Sequence, residues 1–162
     1  MTPAVDLLTG RGVAFGLHRY AHDPGRDDWG IEAAEALGVD PAAVLKTLLV
    51  EVAGGATGRG DLVVVVLPVS AAASMRAVSV AAAVGAKRAA LCPPARAERA
   101  TGYVVGGISP LGQRTRCRTV LDASASSLEV VYVSAGRRGL EVSLAPGDLV
   151  DVLGATVAPV TG

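Results

Sequence analysis

Aromatic residues are scarce in this sequence: one Phe, one Trp and three Tyr occur among 162 residues, although 51% of the chain is apolar. The core must therefore be built from Val, Leu and Ala. The formal net charge is zero, so no overall field attracts the protein to nucleic acid or membranes, and any polyanion contact has to come from a local cluster. A chain of this length fits one domain, which we predict over residues 1–162.

The sequence also lacks paired cysteines and long apolar runs. Cys92 and Cys117 form no CxxC motif and are predicted to be reduced thiols. No histidine lies near Cys92 in the sequence to activate it as a nucleophile. The N-terminus has no export signal, and runs such as 62–69 are too short to cross a bilayer. We therefore expect a cytoplasmic protein with no membrane partner.

Motifs for metals, nucleotides and serine nucleophiles are absent. The spacing of His18 and His22 suits a metal pair on a helix, but here a strand leads into a turn, so no metal site is predicted. Neither GK[ST] nor GxGxxG occurs, which argues against a bound nucleotide cofactor. No GxSxG elbow is present, although counting residues leaves a Ser–His–Asp triad open. The chemistry is expected to need no strong protein nucleophile and no cofactor.

Periodicity and turn residues predict more strands than helices. Strands are expected at 15–20, 46–52, 62–67, 88–91, 119–121, 129–133, 140–144 and 156–159. Helices are expected at 3–10, 31–37, 40–46, 74–84, 93–99 and 147–153. The GGATGRG segment at 54–60 is interpreted as a flexible connection. Short turns between strands indicate an α+β fold, with a mixed, largely antiparallel and barrel-like sheet surrounded by short helices.

A glycine-rich loop, TGYVVGGISPLG at 101–112, is the strongest local signal. Glycine permits positive φ and lacks the Cβ that blocks close approach, so this loop can present bare amides to a carbonyl oxygen. Gly106 and Gly107 are the candidate donors, and Ser109 and Pro110 complete the turn. A plain structural turn is the alternative.

Lys46 is one of only two lysines among fifteen cationic side chains, and it lies in the apolar segment VLKTLLV. It is either a strand residue whose ammonium reaches water or a site residue. Tyr20, at the end of the first predicted strand, is a candidate pocket wall or hydroxyl donor facing Lys46, with a core tyrosine as the alternative. Ser134 and Glu141 follow on later strands and are candidates for the same pocket.

Arginines provide the local basic cluster. Arg114, Arg116 and Arg118 alternate, which places them on one face of an extended segment. Together with Arg137 and Arg138 in a second turn, they are the candidates for phosphate contacts. A solvated strand edge that blocks aggregation is the alternative.

Several segments together resemble a known family, the YbaK/EbsC-type Cys-tRNA(Pro) deacylases, which belong to the superfamily of the prolyl-tRNA synthetase editing domain. The similarity runs from Met1 to about Leu153. The matching segments are MTPAVDLL, HRYAHDP, LGVDPAAVLKTLLV, GAKR, ATGYVVGGISPLGQ, VYVSAGRRGLE and LAPGDL.

This resemblance implies an aminoacyl-tRNA deacylase that acts in trans and removes cysteine from misacylated tRNA(Pro). The family lysine corresponds to Lys46, and the family aspartate falls on Glu141. Tyr20, Gly106 and Ser134 match the other pocket positions. The family mechanism is attack by the substrate's own thiol on its ester carbonyl, which releases a thiolactone. The protein then only orients the ester and stabilises the oxyanion.

Specificity stays open at this stage. A sister activity on another misacylated tRNA, such as Ala-tRNA(Pro), and a non-catalytic module that binds aminoacyl-tRNA or a synthetase are the alternatives. Recognition of the proline tRNA is expected to depend on a partner such as prolyl-tRNA synthetase, because one basic patch on a neutral domain reads sequence weakly. No DNA partner is expected.

Overall fold

The computed structural model describes residues 1–55 and 61–162, which form six α-helices and eight strands. The helices are α1 Pro3–Gly10, α2 Trp29–Leu37, α3 Ala77–Ala83, α4 Pro94–Thr101, α5 Ala123–Ser126 and α6 Pro146–Leu153. The strands are β1 Gly16–Arg19, β2 Leu45–Ala53, β3 Asp61–Pro68, β4 Arg88–Leu91, β5 Arg118–Asp122, β6 Val131–Arg137, β7 Leu140–Leu144 and β8 Thr156–Ala158. Residues 56–60, within the connection predicted to be flexible, lie outside the described residues.

These strands form two sheets. The smaller is antiparallel with the order β1-β7-β6, and the larger has the order β4-β2-β3-β5-β8. In the larger sheet β2 is antiparallel to β3 and β4, whereas β3–β5 and β5–β8 are parallel. The α+β prediction with mixed sheets and short helices is confirmed. Among the described residues the two sheets do not close into a complete barrel.

Alternating side chains of the larger sheet supply two cores. Leu49, Val64 and Leu121 pack towards the smaller sheet, against residues such as Val133 and Val142. The alternate residues Val50, Val63, Val65 and Val120 pack on the other face with Val80 of α3. Because successive strand residues point to opposite faces, a strand covered on both sides must be apolar throughout. This is why β3, predicted to be central, is almost fully buried.

Three segments differ from the predicted elements. The helix predicted at 40–46 is wrong: the Asp40 carboxylate accepts a hydrogen bond from the Ala42 amide, which makes a turn, and β2 begins at Leu45. A 3-10 helix, Val69–Ser74, precedes α3 and includes the first residue of the helix predicted at 74–84. The α-helix itself begins at Ala77. The short helix α5 was not predicted. Asp122 caps it through the amide of Ser124.

The two sheets meet along one edge of β2. The Tyr132 amide of β6 donates to the Ala43 carbonyl just before β2, and the Cys92 amide after β4 donates to the Leu49 carbonyl. Outward-pointing backbone groups alternate along a strand, so Thr47 points its amide and carbonyl into the gap between these two contacts. The strand edge is therefore open at this point, and a pocket lies beside it.

None of the helices in residues 1–55 and 61–162 combines the length and apolar character that crossing a bilayer requires.

Candidate functional site

A pocket of about 370 Å³ lies beside this open edge of β2. Residues from β2, β6, β7, α2, α4 and the glycine-rich loop line it. It brings together five residues that the sequence analysis selected: Tyr20, Lys46, Gly106, Ser134 and Glu141. The volume is within the range of small-ligand sites.

Lys46 supplies the positive charge of the pocket. It lies opposite Leu67 on β3, its side chain is exposed, and it is the single basic residue among the lining residues that the structure describes. Within the described residues its ammonium makes no ion pair. A compact ammonium without a protein partner is available to an anionic or carbonyl oxygen of a ligand.

Ser134 and Glu141 are directly opposite each other on β6 and β7. The Ser134 hydroxyl accepts a hydrogen bond from the Gly136 amide at 3.1 Å. The Glu141 side chain is only 6% exposed, and burial raises its pKa to about 8. Burial also raises the pKa of the Tyr20 hydroxyl, and the charge of Glu141 raises it further, which places these two groups close together. At neutral pH the Glu141 carboxyl group is therefore largely protonated.

Gly106 presents the glycine-rich loop to the pocket. Its φ is +89°, and an added Cβ would lie 2.6 Å from Arg138 Nε and 2.7 Å from ring atoms of Trp29. Only glycine fits this conformation and this contact. No described residue accepts a hydrogen bond from the Gly106 amide, so this donor is available to a ligand oxygen.

The neighbouring residues of the loop have structural roles instead. The Gly107 amide donates to the Val104 carbonyl at 2.9 Å, and an added Cβ would lie 2.7 Å from Arg137 Cα. Ser109 is fully buried and accepts from the Leu111 amide, and Pro110 is buried as well. Gly107, Ser109 and Pro110 do not line the pocket. The Gly107 amide, predicted to donate to a substrate carbonyl, is in this structure already bonded inside the turn.

The five predicted phosphate-binding arginines are all exposed, but they do not share one strand face. Residues 113–117 are not extended: the Arg114 amide donates to the Thr101 carbonyl, which folds the segment against the end of α4. Arg118 alone lies on β5, where it pairs with Asp61 at 3.6 Å and donates to the Val84 carbonyl. Arg138 donates to the Val105 carbonyl. Arg114, Arg116 and Arg137 have no ion pair within the described residues.

Three pocket residues have features that the sequence analysis did not use. Trp29, at the start of α2, and Thr47, next to Lys46, each have a buried polar side-chain atom with no hydrogen-bond partner among the described residues. Such orphan groups are uncommon in folded proteins and need an explanation. Two features of the sequence could have identified these residues: Thr47 follows Lys46 on a predicted strand, and Trp29 is the sole tryptophan. Cys92 lines the pocket too, and burial raises the pKa of its thiol, which disfavours a nucleophilic thiolate.

The segment that leads from Tyr20 to α2 is fastened by a buried carboxylate. Glu32 accepts from the Asp23 amide at 2.8 Å and bonds the His22 ring at 2.7 Å. Burial alone would raise the pKa of Glu32, but these two bonds outweigh it and hold the pKa below its usual range. His22 therefore orders a loop, and neither histidine lines the pocket.

The site offers hydrogen-bond donors that can bind and polarise an ester carbonyl. Lys46 and the Gly106 amide are donors, whereas the lining residues of the described chain include no histidine and no activated nucleophile. The described residues contain no group of three or more His, Cys, Asp or Glu side chains that could hold a metal ion. The arrangement therefore suits a substrate that carries its own nucleophile.

Comparisons with known proteins identify the family of the chain. The family model described as "Aminoacyl-tRNA editing domain" matches residues 24–152. The Enterococcus faecalis protein named "Putative Cys-tRNA(Pro)/Cys-tRNA(Cys) deacylase EbsC" is 32% identical over 128 residues, covering 79% of this chain and 74% of that protein.

Two crystal structures show the same fold. One is that of a hypothetical protein, APE2540, with a TM-score of 0.82, 27% identity and coverage of 99% of both chains. The other is described as "a putative trans-editing enzyme for prolyl tRNA synthetase", with a TM-score of 0.81, 20% identity and coverage of 99% of this chain and 95% of that one. Family model, sequence identity and fold lead to one conclusion: the chain belongs to the aminoacyl-tRNA editing domain family.

Proposed function

We propose that the protein acts in trans to remove cysteine from misacylated Cys-tRNA(Pro). As a member of the editing family, the chain is an aminoacyl-tRNA deacylase; the amino acid, the tRNA and the mechanism are what we propose. The observation that carries the proposal is the composition of the pocket. Its described lining residues supply donors for an ester carbonyl and include no histidine and no activated nucleophile. The relative from Enterococcus faecalis, whose name includes Cys-tRNA(Pro), supports the choice of cysteine.

In the proposed reaction the thiol sulfur of the cysteinyl group attacks its own ester carbonyl carbon. The carbon–sulfur bond forms, the bond from that carbon to the ribose oxygen breaks, and the thiol proton is transferred to the departing ribose oxygen. The products are a thiolactone and a free tRNA end. The Gly106 amide donates to the carbonyl oxygen as charge develops on it. Lys46 holds the terminal adenosine or its phosphate, or adds positive charge beside the ester.

This mechanism gives selectivity that pocket size cannot give. Cysteine and alanine differ by one small group, which a pocket distinguishes by only about 1–3 kcal/mol. A reaction that needs the substrate's thiol leaves alanyl and seryl esters intact. Choice of the proline tRNA is assigned to a partner, prolyl-tRNA synthetase, and we place the activity in the cytoplasm.

Single-turnover deacylation of Cys-, Ala- and Ser-tRNA(Pro) tests the proposal. We expect rapid loss of the cysteinyl ester alone and a fall of at least roughly a hundredfold in Lys46→Ala, because one electrostatic donor of this kind is worth about 10²–10³ in rate. Lys87→Ala is the matched control, because Lys87 is the other lysine of the chain and lies outside the pocket. Its rate is expected to stay at the wild-type value.

Other outcomes would replace the proposal. Cleavage of Ala-tRNA(Pro) would assign a sister specificity and exclude thiol-assisted cyclisation. Binding of tRNA without cleavage of any ester would leave a non-catalytic module. Unchanged activity in Lys46→Ala would remove the role assigned to Lys46.

We also propose that Arg114, Arg116 and Arg137 contact tRNA phosphates. They are exposed, and no described acidic group pairs with them. The double variant Arg114→Ala/Arg116→Ala should lower the salt slope of tRNA binding by about 1–2, because each lost phosphate contact on a single strand removes about 0.7. Arg118→Ala is the control, since Arg118 is engaged with Asp61. An unchanged slope in the double variant would contradict the assignment.

A further inference from the structure

Three acidic side chains are buried in the described part of the chain, and one of them differs from the other two. Glu32 is bonded to the His22 ring and the Asp23 amide, and Asp122 accepts from the amides of Ser124 and Val160. Glu141 is 6% exposed and lines the pocket, and no described residue donates a hydrogen bond to its carboxyl group. Buried carboxyl groups normally have such partners. The partner of Glu141 is therefore expected from outside the chain.

The polar side chains in register with Glu141 on the neighbouring strands make hydrogen bonds to other residues. His18, in register with it on β1, bonds the Ser143 hydroxyl through Nε2 at 2.8 Å. Ser134, in register with Glu141 on β6, accepts a hydrogen bond from the Gly136 amide. Tyr20 is near enough for the charge of Glu141 to raise its hydroxyl pKa.

No cation among residues 1–55 and 61–162 compensates the carboxyl group. Burial is the whole cause of its raised pKa, and neither Lys46 across the pocket nor His18 counteracts it. An isolated buried acid destabilises the folded protein, and an apolar residue of similar size would not. A pocket that retains such an acid is suited to a ligand that brings the missing positive charge.

We infer that Glu141 binds the α-ammonium group of the aminoacyl ester. The inference rests on the proposed function, because it requires that the pocket receives the aminoacyl end of a tRNA. Every aminoacyl ester with a free amine carries this cation beside the reacting carbonyl. A carboxylate–ammonium bond on one side and the Gly106 amide on the other would fix the ester in one orientation.

A contact between Glu141 and the α-ammonium group restricts the substrates to esters with a free amine. Esters whose amine is acylated, as in peptidyl and N-formylated aminoacyl-tRNA, have no cation to offer and would leave Glu141 buried without a partner. Loss of the matched group from a buried polar site is rejected far more strongly than a change of size. The site would therefore act on aminoacyl-tRNA with a free amine and leave peptidyl-tRNA uncleaved.

The test uses stable mimics in which an amide replaces the ester: 3′-deoxy-3′-(L-alanylamino)adenosine and its N-acetyl derivative. Binding is measured by calorimetry at pH 7 in buffers of different ionisation heat, which also counts protons. We expect the free amine to bind roughly tenfold to a hundredfold more tightly than the acetylated mimic, the usual range for a charge-assisted hydrogen bond. We also expect release of most of one proton, because the carboxyl group is mainly protonated beforehand and ionised afterwards.

Variants separate this role from a structural one. Glu141→Gln should bind both mimics equally and release no proton, whereas Glu141→Asp should keep the preference for the amine. Ser143→Ala, two residues along β7 and bonded to His18 rather than to the pocket, is the control with wild-type preference.

Some outcomes would overturn the inference. Equal affinity of the wild type for the two mimics would do so, as would failure to bind either of them. The inference would also be overturned if the amine mimic bound tightly without releasing a proton and if this binding persisted in Glu141→Gln. Amine preference in a protein that cleaves no aminoacyl-tRNA would leave the inference standing and remove the proposed function alone.

Discussion

The guanidinium of Arg138 lies over the indole ring of Trp29, 4.7 Å from the ring centre, and its Nε and Nη2 atoms both donate to the Val105 carbonyl. The Val105 amide in turn donates to Glu98 of α4 at 2.8 Å. Gly106 is thus held between the β6–β7 turn, α2 and α4. Arg138, selected from the sequence as a phosphate contact, is placed to fix the loop that carries the ligand-facing amide.

Replacement of Arg138 by alanine is expected to lower the deacylation rate about tenfold and to leave tRNA affinity nearly unchanged. The variant loses a cation–π contact and two hydrogen bonds, together worth about 1–2 kcal/mol of loop stability. Single-turnover rates and filter binding measure the two effects separately. Arg137→Ala is the matched control next to it, and there we expect weaker tRNA binding with little loss of rate at saturation. The opposite pattern in the two variants would refute this division of roles.

Gly106→Ala is expected to abolish deacylation while the fold persists. The new methyl would enter the space of Trp29 and Arg138 and would require a positive φ that alanine adopts at a cost of about 1–2 kcal/mol. Gly147→Ala on α6 is the control: nothing lies within 4 Å, so helix propensity should add about 0.5–1 kcal/mol of stability. Activity and urea midpoints measure both variants. Wild-type activity in Gly106→Ala would contradict the geometry.

Thr47→Val should stabilise the free protein and weaken substrate binding. The Thr47 hydroxyl is buried without a partner, and removing such a group without changing the shape of the side chain relieves about 0.5–1 kcal/mol. If a substrate oxygen completes this bond, KM for Cys-tRNA(Pro) rises about threefold to tenfold. Thermal unfolding and steady-state kinetics measure the two changes. Thr47→Ser keeps the hydroxyl and should keep KM. Loss of stability in Thr47→Val would show that the hydroxyl has a partner in the protein.

Glu141 makes stability fall as pH rises. Its pKa is about 8 in the folded protein and about 4.5 when unfolded, so the folded state binds the extra proton between these values. The favourable contribution is present below pH 4.5 and lost as pH rises through 8. Relative to Glu141→Gln, the wild type should lose up to about 5 kcal/mol in free energy of unfolding between pH 4.5 and pH 9. Denaturant curves at several pH values measure this. A parallel pH dependence in the two proteins would contradict the burial of an unpartnered acid.

The sequence by itself determined most element types and five of the residues that line the pocket. Apolar runs, proline and glycine positions specified nearly every strand and helix because these signals are local. Five site residues could be selected from the sequence because they lie in recognisable segments. In the structure these residues line one pocket: Tyr20, Lys46, Gly106, Ser134 and Glu141.

Only the tertiary structure decided which contacts the individual glycine, arginine and glutamate side chains and amides make. The close approach of Gly107 to the backbone of Arg137 and of Gly106 to the side chains of Arg138 and Trp29 involves segments that are distant in the sequence. Arg138 and Arg114 look alike in the sequence, yet one is bonded to the loop and the other is exposed against α4. The missing partner of Glu141 is likewise invisible in the sequence. These properties depend on which residues far apart in the chain come into contact, and no local pattern encodes that.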